Sequence, residues 1–141
     1  MLSAIILAAG DAARMGKPKA LLQWRGKPFI EHVCDALRRC ELVIVSDSQR
    51  HTDTTAFAHV LLPAATWGEK SGTVTNSERR ISRQRAFTEA PGEARPDWWI
   101  VAQIAQRLGF GGFEWKDAGE VFDEFAALMP IYGGLSWARV S

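Results

Sequence analysis

Apolar positions along this chain come in short blocks, parted by polar stretches rich in glycine and proline. "SAIILAA" (3–9) is a continuous apolar run stopped by Gly10, the pattern of a buried strand. A loop rich in glycine, proline and cations follows, "GDAARMGKPKALL". Pro28 suits the first turn of a helix running to about Arg39, with Phe29, Val33, Leu37 and Cys40 on one face. "ELVIVSD" (41–47) predicts a second buried strand. Strand, helix, strand in that order predicts a βαβ unit with parallel strands. "SQRHTDTTAFAH" (48–59) reads as a loop with a short helix, and "VLLPAAT" (60–66) as a third strand ended by Pro63.

Beyond "WGEKSGTVTNSE" lies a segment with four arginines, Arg79, Arg80, Arg83 and Arg85. Read as one strand, it puts Arg79, Ile81, Arg83, Arg85 and Phe87 on one side and Glu78, Arg80, Ser82, Gln84 and Ala86 on the other, with no apolar face. "TEAPGEARPD" (88–97) is a linker. "DWWIVAQIAQRLG" predicts a helix capped by Asp97, striped by Val101, Ile104, Ala105 and Leu108, and ended by Gly109. "DAGEVFDEFAALM" predicts another, with Asp117 and Glu120 spaced as a capping box. The expected fold class is α/β: a parallel-sheet, Rossmann-like three-layer unit with an arginine-rich ribbon and C-terminal helices.

Composition adds limits. The 141 residues, 47% apolar and 23% charged with a net charge of +1, suit one ordinary globular domain. No run of about 18 apolar residues offers a membrane span. The N-terminus reads as a strand and not as a signal peptide. Cys34 and Cys40 form no framework, so reduced thiols and a cytoplasmic setting are expected. Nucleic acid is not expected as a partner, because the arginine segment lacks interleaved aromatics and the chain is not basic overall. Charge is uneven, however. Residues 1–40 hold seven Lys/Arg against three Asp/Glu, and residues 41–141 hold ten against thirteen. That step suggests two kinds of sequence in one chain.

The first candidate site is "LAAGDAARMGKPK". Backbone N–H groups near Gly10 and Gly16 could face phosphates, with Arg14, Lys17 and Lys19 to neutralise them; the alternative is a solvated basic loop. The stretch from Leu7 to Leu22, continued by "GKPFIEHV", resembles the opening of nucleotidyltransferases of the molybdenum-cofactor guanylyltransferase type. That resemblance implies nucleotide contacts at Leu7, Ala8, Ala9, Gly10 and Arg14, a phosphate contact at Lys19, and GTP with Mg²⁺ as ligands. The aspartate that would hold the Mg²⁺ has no counterpart downstream.

From "LRRCELVIVSD" onward the chain resembles a different family. "TDTTAFAHVLLPAATWGE", "EKSGTVTNSERRI" and "PGEARPDWW" are similar to the large subunit of bis-molybdopterin-guanine-dinucleotide oxidoreductases, in the assimilatory nitrate reductase and formate dehydrogenase branch. One position departs: the residue before "VLLP" is usually aspartate and is His59 here. The resemblance implies molybdopterin guanine dinucleotide as cofactor, with contacts at Ser46, Asp47, Lys70 and Asp97. Competing readings are a turn cap for Asp47, a helix N-cap for Asp97 and a solvent-facing Lys70. The arginines would meet phosphates or pair with Glu69 and Glu78. Neither a metal-ligating residue nor an iron–sulfur cysteine set is recognisable. The expectation is therefore a composite chain. Residues 1–36 would be a guanylyltransferase-like beginning and 37–141 a piece of the oxidoreductase's cofactor-binding domain, packed as one unit and inactive in isolation.

Overall fold

The computed structural model describes residues 3–7 and 23–140. The chain divides into two compact units, 1–63 and 64–141. The boundary near residue 36 suggested by the sequence concerns ancestry, not this packing.

In the first unit, β1 (Ser3–Leu7), β4 (Leu42–Asp47) and β5 (Val60–Pro63) form a parallel sheet in the order β1-β4-β5. Ile6 lies opposite Val45, and Val45 opposite Leu61. Strand β4 is central, which explains its β-branched run. Val43 and Val45 are 1% and 0% exposed, as expected of a strand flanked on both edges. Val33, Cys40, Phe57, Ala58 and Leu61 pack against them. The crossover helix α1 (Phe29–Leu37) is preceded by a two-residue hairpin that the apolar pattern does not announce: β2 (Gln23–Trp24) and β3 (Lys27–Pro28). Arg25 and Gly26 both take positive φ there, 48° and 82°, as a type I′ turn requires. Pro28 thus closes a hairpin instead of opening the helix.

Lys27 and Arg38 both bind Asp35, Arg38 at 3.0 Å. The Lys27 hydrogen bond, then its charge, then Arg38 hold the Asp35 carboxyl below its ordinary 3.8. A depressed carboxylate stabilises the fold above its unfolded value and loses that contribution as pH falls through the folded one. Asp35→Asn is therefore expected to lower stability slightly at neutral pH and to lose that difference from the unmutated chain as pH falls below about 4. Melts followed by circular dichroism across an acid titration read this; a difference from the unmutated chain that persists undiminished well below about pH 4 contradicts the assignment.

The second unit holds an antiparallel ribbon and two helices. The ribbon pairs β6 (Gly72–Thr75) with β7 (Ile81–Gln84), from Gly72 opposite Gln84 to Thr75 opposite Ile81. The arginine segment is thus not one strand: residues 76–80 are its turn. The Asn76 side chain accepts from the N–H groups of Glu78 (3.0 Å) and Arg80 (2.8 Å), and Arg79 sits at φ 65°.

Helix α2 (Asp97–Arg107) starts after Pro96 with no side-chain cap. Its buried residues are Ile100, Ala102 and Ala105, while Val101 and Leu108 are exposed. The buried stripe is rotated from the expected one: Ala102 takes part where Val101 was expected, Trp98 and Ile104 are half-buried, and Trp99 is exposed. The end is as expected. Gly109 (φ 84°) donates to Gln106 and Phe110 donates to Ala105, a Schellman closure.

Helix α3 (Ala118–Leu128) is capped by Asp117, which accepts from Gly119 and Glu120. Glu120 reaches back to the N–H of Lys116, one residue earlier than a capping box predicts. Phe122, Ala126 and Val140 form the core here, with Ile81, Tyr132 and Trp137 against them.

Candidate functional site

The carboxyl end of a central parallel strand is where α/β sheets place ligands. Here that end carries Ser46 and Asp47. Ser46 lies between Leu7 of β1 and Leu62 of β5 and is only 6% exposed. Its hydroxyl is buried and has no hydrogen-bond partner among the described residues. A buried hydroxyl without a partner costs about 1–3 kcal/mol, so such groups usually await something polar. Asp47, half-buried, uses one carboxylate oxygen to accept from the Gln49 N–H at 2.9 Å. That is the turn-capping geometry weighed from the sequence, and it leaves the second oxygen without a hydrogen bond among the described residues.

The loop after β4 is built around two threonines. Thr55 Oγ1 accepts from the Thr52 N–H at 2.8 Å, and the Thr55 N–H donates to Thr52 Oγ1 at 3.1 Å. Thr55 Oγ1 also lies 3.0 Å from the Arg50 carbonyl. This network shapes an open concavity of about 390 Å³ lined by Arg50, His51, Thr52, Asp53, Thr55 and Ala56. In the sequence this stretch reads as a loop with a short helix and as part of the oxidoreductase resemblance, with no ligand contact placed on it. The available signal was its position straight after the strand that carries Ser46 and Asp47.

In the second unit, Lys70 and Asp97 are brought together as an ion pair. Asp97 is the first residue of α2 and does not cap it, because its carboxylate is taken by Lys70. Lys70 is not simply solvent-facing. Gln84 of the ribbon donates to the carbonyls of Trp67 and Lys70, which ties the ribbon to the loop before it.

The arginines have different surroundings. Arg83 lies over the Trp137 ring, 4.1 Å from its centroid. Arg79, Arg80 and Arg85 are exposed. The expected pairing with Glu69 and Glu78 is not seen among the described residues. Glu69 instead accepts from the Thr66 N–H at 2.7 Å, a local contact that outcompetes a longer reach. A second concavity of about 190 Å³ lies between β6, α2 and α3, with Trp98, Val121, Phe122 and Phe125 among its lining. Neither concavity is lined by Ser46, Asp47, Lys70 or Asp97.

Of the first motif, Leu7 ends β1. Ala8, Ala9, Gly10, Arg14 and Lys19 lie outside the described residues. Among the described residues, no three His, Cys, Asp or Glu side chains converge as metal ligands. No described helix is long and apolar enough to cross a membrane.

A model of the molybdopterin oxidoreductase family matches residues 5–107. The match begins inside β1, so it gives no support to a separate guanylyltransferase-like beginning. The chain is 66% identical over 102 residues to a nitrate reductase from Klebsiella oxytoca, covering 72% of this chain and 12% of that protein. It is 46% identical over 112 residues to the F420-dependent formate dehydrogenase 2 subunit alpha of Methanococcus maripaludis, covering 79% of this chain and 16% of that one. A solved structure, acetylene hydratase from Pelobacter acetylenicus, superposes with a TM-score of 0.56 at 24% identity, over 77% of this chain and 15% of its own. That likeness concerns the fold alone. The chain spans only 12–16% of the length of these curated relatives.

Proposed function

Because the chain belongs to the molybdopterin oxidoreductase family, we propose that it is a piece of a nitrate-reductase-like enzyme that contributes contacts to the guanine dinucleotide of the cofactor. The observation that carries this reading is Ser46, a buried hydroxyl without a partner among the described residues, at the carboxyl end of the central strand. Its chemistry fits a phosphate or ribose oxygen. The oxygen of Asp47 not engaged by Gln49 can accept from the N1 and N2 edge of guanine. Lys70 and Asp97 already hold each other, so a ligand there would share Lys70 with its carboxylate. When bound, the molybdenum and its pterins supply the redox chemistry; the residues of this chain bind and orient.

The finer elements of the reading belong together. The parallel sheet is Rossmann-like, the setting is cytoplasmic nitrate assimilation, and residues 1–36 are a guanylyltransferase-like beginning joined to the oxidoreductase piece. The chain alone is incomplete for turnover, in keeping with its small share of the relatives' length.

Thermal melting with GDP tests the binding claim. At a hundredfold excess over its dissociation constant, a ligand specific to the folded state adds about 2.7 kcal/mol. GDP is expected to raise the melting temperature, and Asp47→Ala to remove the rise. No rise with the unmutated chain, or an equal rise in the variant, defeats the assignment. Molybdenum retention with nitrate turnover overturns incompleteness. Turnover with GTP, Mg²⁺ and molybdopterin favours guanylyl transfer instead.

A further inference from the structure

His59 stands just before β5, and its contacts are unusual for a residue leading into a parallel strand. Its N–H donates to the Val43 carbonyl at 2.9 Å, and the Val43 N–H donates to its imidazole Nδ1 at 3.0 Å. The regular ladder begins one residue later, with Ile44 opposite Val60. In a parallel pair, a backbone carbonyl of the neighbouring strand would normally receive the Val43 N–H. That stretch of chain has already turned into the 3₁₀ turn Thr55–Phe57, and the ring takes the carbonyl's place.

Val43 is 1% exposed, so with the ring in place its N–H does not meet water, while His59 itself lies at the surface where a proton can reach it. Only a ring with an unprotonated Nδ1 can accept it; an imidazolium presents N–H on both nitrogens. Ionisable groups on the surrounding elements are Asp35, Arg38 and Arg39 at α1, Cys40 and Glu41 ahead of β4, and Asp53 before the turn. Among the described residues none of them makes an ion pair or hydrogen bond with the ring, and Asp35 is taken by Lys27 and Arg38. Strand β5 adds no charge, since Val60–Pro63 carries no ionisable side chain.

We propose that His59 is a pH-sensitive latch, a neutral imidazole that completes the β4–β5 pairing and releases the buried Val43 amide when it is protonated. The sign follows from proton counting. A ring that accepts from the Val43 N–H at Nδ1 has no place there for a second proton, so acidification favours release of the ring. The device acts on the same strand that carries Ser46 and Asp47, but it does not depend on any ligand being bound there.

Hydrogen exchange of the Val43 amide in the full chain tests this. Between about pH 7.5 and pH 5.5, its protection is expected to fall about tenfold beyond the intrinsic rate change. In His59→Asn the Oδ1 stands where Nδ1 was and does not titrate, so protection is expected to hold across the range. An equal pH response in the two chains overturns the latch. If the variant does not fold, the imidazole ¹⁵N shifts of the unmutated chain still decide: a proton on Nε2 and none on Nδ1 at pH 7.5 supports it, and the opposite tautomer overturns it.

Discussion

Replacing Val45 with aspartate is expected to abolish the cooperative unfolding transition of the 1–63 unit. Val45 is fully buried in the middle strand of the sheet, opposite both Ile6 and Leu61. Among the described residues an unpaired carboxylate there meets no cation, since Val33, Cys40, Phe57, Ala58 and Leu61 surround the site. Its effective desolvation cost of several kcal/mol rivals the entire stability of a small domain, about 5 kcal/mol at the low end of the usual range. Val45→Thr is nearly the same size and adds one hydroxyl, so it is expected to cost only about 1–3 kcal/mol. Circular dichroism melts of the two variants separate the cases. A normal transition in the aspartate variant means that the strand is not enclosed as described. Because Ser46 and Asp47 ride on this strand, the aspartate variant should also lose any response to GDP.

Phe122→Ala is expected to have the second large effect, about 3–5 kcal/mol of the stability of the 64–141 unit. Phe122 is 5% exposed and sits among Ala126, Val140, Ile81, Tyr132 and Trp137. Its ring centroid lies 6.2 Å from that of Trp137, the same indole that Arg83 covers. Truncation leaves a void that helix α3 alone cannot close. Phe125, three residues further along α3 but 44% exposed, is the control: Phe125→Ala is expected to cost under about 1 kcal/mol. Urea titration followed by tryptophan fluorescence reads both. Equal losses in the two variants place the core elsewhere.

The parallel sheet was legible because "AIIL" and "LVIV" are unbroken apolar runs with a helix-sized interval between them, a pattern that admits few other arrangements. The helix ends were legible for the same reason: Asp117 and Gly109 are capping chemistry that does not depend on distant residues. The hairpin at Trp24–Lys27 was not, since strands of two residues carry no period to detect. The arginine ribbon was mistaken for one strand because its turn is specified by a single side chain, Asn76, inside an otherwise strand-compatible run. The stripe of α2 was misjudged because periodicity gives spacing but not phase.

Of the candidate site, the position of Ser46 and Asp47 at a strand's carboxyl end followed from pattern alone. The Ser46 hydroxyl's lack of a partner among the described residues did not, because whether a polar atom finds a partner is settled by neighbours far away in sequence. The Lys70–Asp97 pairing was hidden for the same reason.

That pairing links residues 27 positions apart, and the whole ribbon β6–β7 lies between them. It acts as a clasp on a loop, with the loop-closure entropy of those residues set against one solvent-accessible attraction. Added salt weakens such an attraction while leaving apolar packing untouched, so ionic strength becomes an external dial for how tightly the ribbon is tethered to the start of α2. Anything anionic that recruits Lys70 would turn the same dial from within, loosening Asp97 in proportion to how firmly it holds the ammonium.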